Sequence, residues 1–102
     1  MSTIITTANA NLRAEVEDVA RHTSPGGDIT GLRGTVTVYF RPDLRVVYGV
    51  SRLDGSDDWV IDSRFRNGVP MHVNGFGARY LRTDSIVDVN IIAALDDAAV
   101  AA

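Results

Sequence analysis

The sequence predicts an α+β protein, in which an N-terminal amphipathic helix packs on an antiparallel meander of about five strands. The helix is predicted because apolar residues recur three or four positions apart between residues 8 and 22. The sheet is predicted from runs that alternate apolar and polar side chains and are separated by turn residues. A small half-open β-barrel with a helix is the alternative arrangement of the same elements.

The N-terminal third contains the predicted helix and a connector. Residues 1–7 are expected to form a tail or a short strand. The helix that follows has one apolar stripe made of Leu12, Val16, Val19 and Ala20. Pro25 and four glycines between residues 26 and 34 end this helix and predict a flexible connector.

Two alternating strands follow, at residues 35–40 and 45–50. The turn between them contains Pro42, and an odd-length loop pairs Phe40 with Val46, which joins the apolar faces. A loop at residues 53–56 then pairs Val50 with Trp59, again apolar against apolar.

A hairpin is centred on Asn67-Gly68, the strongest short-range hairpin signal in the chain. A two-residue loop would place Phe65 on the same face as Pro70, mixing an apolar face with a polar one. We therefore expect a three-residue loop at residues 66–68 that pairs Phe65 with Val69 and keeps one face apolar.

The C-terminal third is less regular. Residues 74–84 predict a long irregular stretch, and the β-branched residues 86–92 predict a fifth strand. Residues 93–102 are expected to form a short helix or a frayed tail.

Length and composition indicate one small globular domain spanning residues 1–102, of which 45% are hydrophobic. The chain has no cysteine, no apolar run long enough to cross a bilayer and no signal-peptide pattern at its start, so a cytoplasmic location is expected. The ten basic residues are all arginine, and the net charge of −3 argues against bulk nucleic-acid binding.

The outer face of the predicted sheet carries the candidate binding residues. The predicted registers place Arg41, Arg45 and Arg64 side by side, a clustering of like charge that needs a carboxylate or phosphate to offset it. With the neighbouring row, the candidate partner-binding residues are Arg41, Arg45, Arg64, Arg66, Tyr39, Asp62 and His72.

Catalysis and metal binding are not expected. Asp62 and His72 are predicted cross-strand neighbours, and a carboxylate that orients an imidazole is how a general base is built. No nucleophile stands beside this pair, and the two histidines lie on separate elements, so we assign no catalytic residue, no metal ligand and no cofactor.

The leading functional hypothesis is a non-catalytic protein–protein interaction module that presents its arginine-bearing face, or a free strand edge, to an acidic partner. Small inhibitors, accessory subunits and bacterial or phage-encoded modulators share this anatomy. Self-association as a homodimer is also expected, because nothing blunts the edge of the predicted strand at residues 35–40. The first alternative is a nucleic-acid-binding module that uses the same arginines. The second is a small-molecule-binding or lyase/isomerase-type domain with a cavity between helix and sheet.

Overall fold

A computed structural model of the chain describes residues 2–6, 13–28, 30–73 and 89–102. Within these residues the chain forms six strands and a helix: β1 (Ser2–Thr6), β2 (Arg13–Thr23), β3 (Thr30–Arg41), β4 (Leu44–Leu53), β5 (Val60–Arg66), β6 (Val69–Pro70) and α1 (Val89–Ala101). All six strands belong to one antiparallel sheet, and each pairs with its neighbour in the sequence. The α+β class and the antiparallel meander are therefore confirmed. None of the described helices is long and apolar enough to cross a membrane.

The predicted N-terminal helix is wrong. Residues 13–22 of that prediction lie in strand β2, and residues 8–12 lie outside the described residues. At the start of β2, Ala14 and Val16 are buried in the core, whereas Arg13, Glu15 and Glu17 are more exposed. The side chains there follow the two-residue period of a strand.

A β-bulge explains why the sequence looked helical. The pairing of β2 with β3 shifts between Glu17 and Ala20, where Asp18 has a φ of 56°. Because a bulge adds a residue to one strand, the side chains beyond it change face. Val16 and Val19, three positions apart, therefore both pack toward the core. The same spacing is typical of an amphipathic helix, so the local pattern pointed to the wrong element.

The predicted flexible connector ends earlier than expected, because Gly31 and Gly34 lie inside β3. Both glycines mark close approaches between strands. A Cβ on Gly31 would overlap the carbonyl oxygen of Arg52, and a Cβ on Gly34 would lie 2.8 Å from Cγ2 of Val19. These glycines are required by the packing of the sheet rather than by flexibility.

The registers of the central strands differ from the predicted ones by two residues. Val46 pairs with Val38 rather than with Phe40, and the pairing of β3 with β4 shifts between Tyr39 and Arg41. Val50 pairs with Ile61 rather than with Trp59, which precedes β5. A slip of two residues keeps every side chain on its face, so the apolar faces of β3 and β4 still meet as predicted. Beyond the irregularity between Ile61 and Ser63 the register of β5 differs by three residues, and Phe65, predicted on the apolar face, pairs with Val47.

The hairpin of β5 and β6 has a two-residue turn, so the predicted three-residue loop is wrong. Arg66 pairs with Val69, and Asn67 and Gly68 have φ values of 48° and 84°, as a type I′ turn requires. The predicted register assumed that one face of this hairpin is buried. Instead Val69 is 64% exposed and Phe65 is 37% exposed, so burial does not enforce the alternation here.

The helix of this protein lies at the C-terminal end. Residues 89–92, predicted as part of a strand, are helical, and residues 86–88 lie outside the described residues. The helix predicted as one alternative for residues 93–102 is confirmed over residues 93–101. Ile91 and Leu95, four positions apart, are both fully buried in the core, and that spacing puts them on one helical face.

The core lies between α1 and one face of the sheet. Its buried apolar members are Ala14, Val16, Leu32, Val36, Val38, Val46, Tyr48, Val50, Trp59, Ile61, Ile91 and Leu95. At the edge of this core, Asp96 of α1 accepts hydrogen bonds from the Trp59 indole at 3.0 Å and from Arg52 at 3.1 Å. Arg52 also stacks on the Trp59 ring, with its Cζ 5.1 Å from the centroid. These contacts hold α1 against β4 and the start of β5.

The strand containing residues 35–40 is not an edge, because β3 pairs with β2 on one side and β4 on the other. The argument for homodimerisation through an unpaired edge at this strand therefore no longer applies. Homodimerisation itself stays a prediction. Within the described residues the sheet ends at β1 and β6. Pro70 lies in β6, in agreement with the rule that proline is confined to edge strands.

Candidate functional site

The candidate functional surface is the sheet face that points away from α1, which we call the open face. Its residues alternate with the core residues along each strand: Arg13, Glu15, Glu17 and His22 on β2, Arg33, Thr35, Thr37 and Tyr39 on β3, Arg45, Val47, Gly49 and Ser51 on β4, and Ser63 and Phe65 on β5. Antiparallel sheets commonly bury one face and leave the other accessible. Arg13, Arg33 and Arg45 on this face are exposed, so the open face can contact another molecule.

One end of the open face carries an aromatic ring between two arginines. Tyr39 pairs directly with Arg13 on β2 and with Arg45 on β4. The Cζ atom of Arg13 lies 4.8 Å from the centroid of the Tyr39 ring, which is a cation–π contact. We call these three residues the Tyr39 row.

Arg41 lies beside the Tyr39 row but has a partner within its own turn. Its Nε atom is 3.0 Å from Oδ1 of Asp43, and both side chains are mostly exposed. Because exposed ion pairs are weak, the pair can open when a stronger carboxylate partner approaches.

The turn residue Asn67 fixes the backbone beneath the Tyr39 row. Its side-chain Oδ1 accepts a hydrogen bond from the backbone N–H of Arg45 at 2.9 Å. Its backbone N–H donates to the backbone carbonyl of Arg45 at 2.8 Å. Its Nδ2 donates to the Asp43 carbonyl at 3.0 Å. The turn of β5 and β6 is thereby tied to the turn of β3 and β4, and Arg45 is held in place.

We expect Asn67→Gly to lower the free energy of unfolding by about 1 kcal/mol, because glycine keeps the positive φ but loses both side-chain hydrogen bonds. Urea unfolding followed by tryptophan fluorescence measures the change. Asn67→Asp is the matched control, since it keeps the acceptor for Arg45 and loses the donor for Asp43. The control should fall between wild type and the glycine variant. Equal stability of all three proteins would contradict this role.

An acidic strip lies next to the Tyr39 row on β2. It consists of Glu15 and Glu17 on the open face, with Asp18 in the bulge. The pKa of Glu17 is raised, chiefly because its protonated carboxyl can share a hydrogen bond with Glu15, and further because nearby negative charges disfavour its ionisation. The strip places negative charge on the open face beside the Tyr39 row.

The middle of the open face contains small and apolar side chains. Val47 pairs with Phe65 on β5 and with Thr37 on β3, and Thr37 is buried although it lies on this face. The exposed Phe65 ring therefore lies in the row of Thr37 and Val47, next to the Tyr39 row, and adds apolar contact area there.

The far end of the open face holds a small cavity of about 150 Å³. Its lining on the open face consists of His22, Gly31, Arg33, Ser51, Leu53 and Asp62. The surface of this cavity is mainly apolar. Among its lining residues, Asp62 lies 3.9 Å from the Arg33 guanidinium.

The structure separates the predicted arginine row. Arg41 and Arg45 lie near Tyr39 as expected, but Arg64 pairs with Tyr48 and Arg66 pairs with Val46, whose side chains belong to the core face. The predicted adjacency of Arg41, Arg45 and Arg64 is therefore wrong. The cause is the bulge in β5, where Gly49 pairs with Ser63 but the adjacent Val50 pairs with Ile61.

The predicted neighbours Asp62 and His72 are also placed differently. Asp62 lies in the bulge of β5 beside Arg33 of β3. The backbone carbonyl of His72 accepts a hydrogen bond from Arg64 at 3.0 Å. The β5–β6 pairing of Arg66 with Val69 and of Phe65 with Pro70 differs by one residue from the predicted register that placed Asp62 opposite His72.

Sequence reasoning missed the open-face residues of β2 and of the start of β3, among them Arg13, His22 and Arg33. Arg13 and His22 were assigned to a helix and Arg33 to a connector, so none was placed on a sheet. The alternation of Arg13, Glu15 and Glu17 with Ala14 and Val16 was the available signal for the strand.

Among the residues that the structure describes, no group of three or more His, Cys, Asp or Glu side chains is placed to hold a metal ion. Comparison of the chain with protein-family profiles, with curated protein sequences and with solved structures finds no match.

Proposed function

We propose that the protein is a non-catalytic protein–protein interaction module that presents its open face to an acidic surface of a partner protein. The observation that supports this proposal most directly is the Tyr39 row, in which an aromatic ring stands between Arg13 and Arg45. Tyrosine and arginine are the residue types over-represented at binding hot spots.

The chemistry of the Tyr39 row favours a carboxylate-bearing partner. A guanidinium presents a planar fork of donors that matches a carboxylate, and such charge-assisted hydrogen bonds are stronger than neutral ones. Within the described part of the chain, neither Arg13 nor Arg45 forms an ion pair. Both guanidiniums therefore keep donors for an external group.

The Tyr39 row is also held in position before any partner arrives. Arg13 is stacked on Tyr39, and the backbone of Arg45 is bonded to Asn67 in both directions. Binding must offset the conformational entropy that side chains lose when they are immobilised. A row that is already ordered loses less of this entropy on association.

The open face has a suitable size for a protein partner. Four strands spaced about 4.8 Å apart and about ten residues long present roughly 600 Å² on one face. A standard interface buries about 800 Å² on each partner. The open face and its rim together approach that area.

Affinity capture from a lysate of the native cells, with nuclease treatment, tests the proposal. Wild type is compared with a variant carrying Arg13→Glu and Arg45→Glu, and the captured protein is then purified and its affinity measured directly. The control carries Arg66→Glu, at an exposed arginine whose pairing partner Val46 lies on the core face, and the single variants Arg13→Glu and Arg45→Glu are its charge-matched counterparts.

We expect the purified partner to bind wild type and the control, to bind the open-face variant at least about tenfold more weakly, and to bind less tightly as salt increases. Equal affinity for both variants, or no directly binding protein, would overturn the proposal. Retention that disappears with nuclease would instead support the nucleic-acid alternative.

A further inference from the structure

Strand β1 forms one end of the sheet, and within the described residues it pairs with β2 alone. At the other end, β6 has only two residues, one of which is Pro70. A very short strand and a proline are two features that keep the edge of a sheet from pairing with another chain. Strand β1 has neither: its five residues include no proline and no charged residue, and they pair with β2 without a bulge. The outer edge of β1 is therefore suited to pairing with another strand.

The pairing of the inner strands shows which way the backbone groups of β2 are directed. In an antiparallel sheet, successive residues direct their N–H and C=O groups alternately to one neighbouring strand and to the other. The backbone N–H and C=O of Arg45 both bond to Asn67, on the β5 side. Tyr39, opposite Arg45, therefore directs its groups to β2, and Arg13, opposite Tyr39, directs its groups to β3.

The same alternation identifies the outward-facing backbone groups of β1. The next residue of β2, Ala14, directs its groups to β1, where Ile5 is its pairing partner. Because Ile5 bonds to β2, its neighbour Ile4 directs its N–H and C=O to the outer edge. Ser2 and Thr6, each two positions from Ile4, direct their groups the same way. These groups are not used by any strand within the described part of the chain.

We propose that β1 pairs with β1 of a second copy of this chain, antiparallel about a two-fold axis at Ile4, so that one continuous sheet runs through a homodimer. In this register Ile4 pairs with Ile4 of the second copy, and Ser2 of each copy pairs with Thr6 of the other. Every outward-facing residue of β1 then exchanges hydrogen bonds with the residue opposite. The contact is self-complementary, so it closes with two copies. This inference does not rest on the proposed function.

The charges of β2 are compatible with this register. Thr6 shares its row with Arg13, and Ser2 shares its row with Glu17. Pairing Thr6 with Ser2 of the second copy puts Arg13 of each copy in one row with Glu17 of the other, at a backbone separation of about 14 Å. Glu15 and its copy face each other at the same separation in the central row. Two attractive pairs thus oppose one repulsive pair, and the balance is weakly attractive after screening by salt.

Sedimentation equilibrium of the full chain, with no tag at its N-terminus, tests the proposal. We expect wild type to be a dimer at about 100 µM. Ile4→Pro removes an outward N–H but no bond to β2, so it should stay folded by circular dichroism and raise the dimer dissociation constant at least about tenfold. Ile4→Val is the matched control, because it keeps the N–H, and it should dimerise like wild type.

Hydrogen exchange of the wild-type protein locates the contact without a substitution, so the test does not depend on the folding of the proline variant. Protection of the Ile4 amide should rise with protein concentration as the dimer forms. The Ile5 amide, bonded to β2, should be protected in dilute protein as well. Because the chain has no cysteine, Ile4→Cys reports the register: the two-fold pairing puts the two Cα atoms about 5.5 Å apart, where oxidation forms a disulfide between copies.

A wild-type protein that stays monomeric at about 100 µM would overturn the proposal. Undiminished dimerisation of folded Ile4→Pro would overturn β1 as the contact. Equal protection of the Ile4 amide in dilute monomer and in concentrated protein would show that another part of the same chain pairs with this edge. Open-ended oligomers in place of a dimer would overturn the two-fold register. None of these measurements includes a partner protein, so their outcomes are independent of whether the open face binds one.

Discussion

Trp59→Ala is expected to lower the free energy of unfolding by about 3–5 kcal/mol. Trp59 is the largest fully buried side chain and is 1% exposed. It contacts the core, stacks against Arg52 and donates its indole hydrogen bond to Asp96 of α1. Its removal leaves a cavity and also weakens the attachment of the helix.

Trp59→Phe separates these contributions. Phenylalanine keeps an aromatic ring for the core and for Arg52 but has no donor for Asp96, so we expect a smaller loss of about 1–3 kcal/mol. Urea unfolding followed by far-ultraviolet circular dichroism measures both variants, because fluorescence depends on the residue being replaced. A loss below about 1 kcal/mol for the alanine variant would show that Trp59 does not hold the helix to the sheet.

Gly31→Ala is expected to lower the free energy of unfolding by about 1–3 kcal/mol, or more if the sheet cannot adjust. The added Cβ would overlap the carbonyl oxygen of Arg52 and would lie 3.1 Å from the Cα of Leu53. Both atoms belong to the backbone of β4, so relief requires movement of a strand rather than rotation of a side chain.

Gly26→Ala is the matched control for Gly31→Ala. Its added Cβ would approach only the flexible Asp28 carboxylate, at 3.1 Å, in an exposed turn. We expect a change within about 0.5 kcal/mol for this control. Thermal unfolding monitored by circular dichroism compares the two variants directly. If both variants unfold at the wild-type temperature, the close approach of β3 and β4 is not what requires glycine at position 31.

Particular elements show where local sequence patterns predicted this fold correctly and where they did not. The alternation at residues 35–40 and 45–50 correctly predicted parts of β3 and β4, because both strands bury one face. The spacing of Val16 and Val19 predicted a helix, because a bulge at Asp18 produces the three-residue interval that a helix also has. At residues 89–92 a strand was predicted where the structure has a helix. The β-branched side chains suggested the strand, whereas Ile91 and Leu95 lie on one buried face of the helix.

The candidate site was predicted only in part, because its composition depends on register. Tyr39, Arg41 and Arg45 are close in sequence, so the turn between β3 and β4 brings them together whichever register is used. Arg64 belongs to a different strand, and the bulge in β5 moves it to the core face. Arg33 and His22 enter the site only when β2 and the start of β3 are recognised as strands.

The amino-acid sequence was sufficient to predict an antiparallel sheet, the position of the turn at Asn67-Gly68 and the alternating apolar faces of β3 and β4, since each follows from residues that are neighbours in the chain. The two-residue length of that turn and the registers of β3, β4 and β5 followed only from the structure. The location of the bulges, the helix docked by Asp96 and the assembly of the open face required the folded protein. Each of these features depends on which strands and helices meet in space, and a bulge changes the face of every side chain beyond it without leaving a unique signal in the sequence.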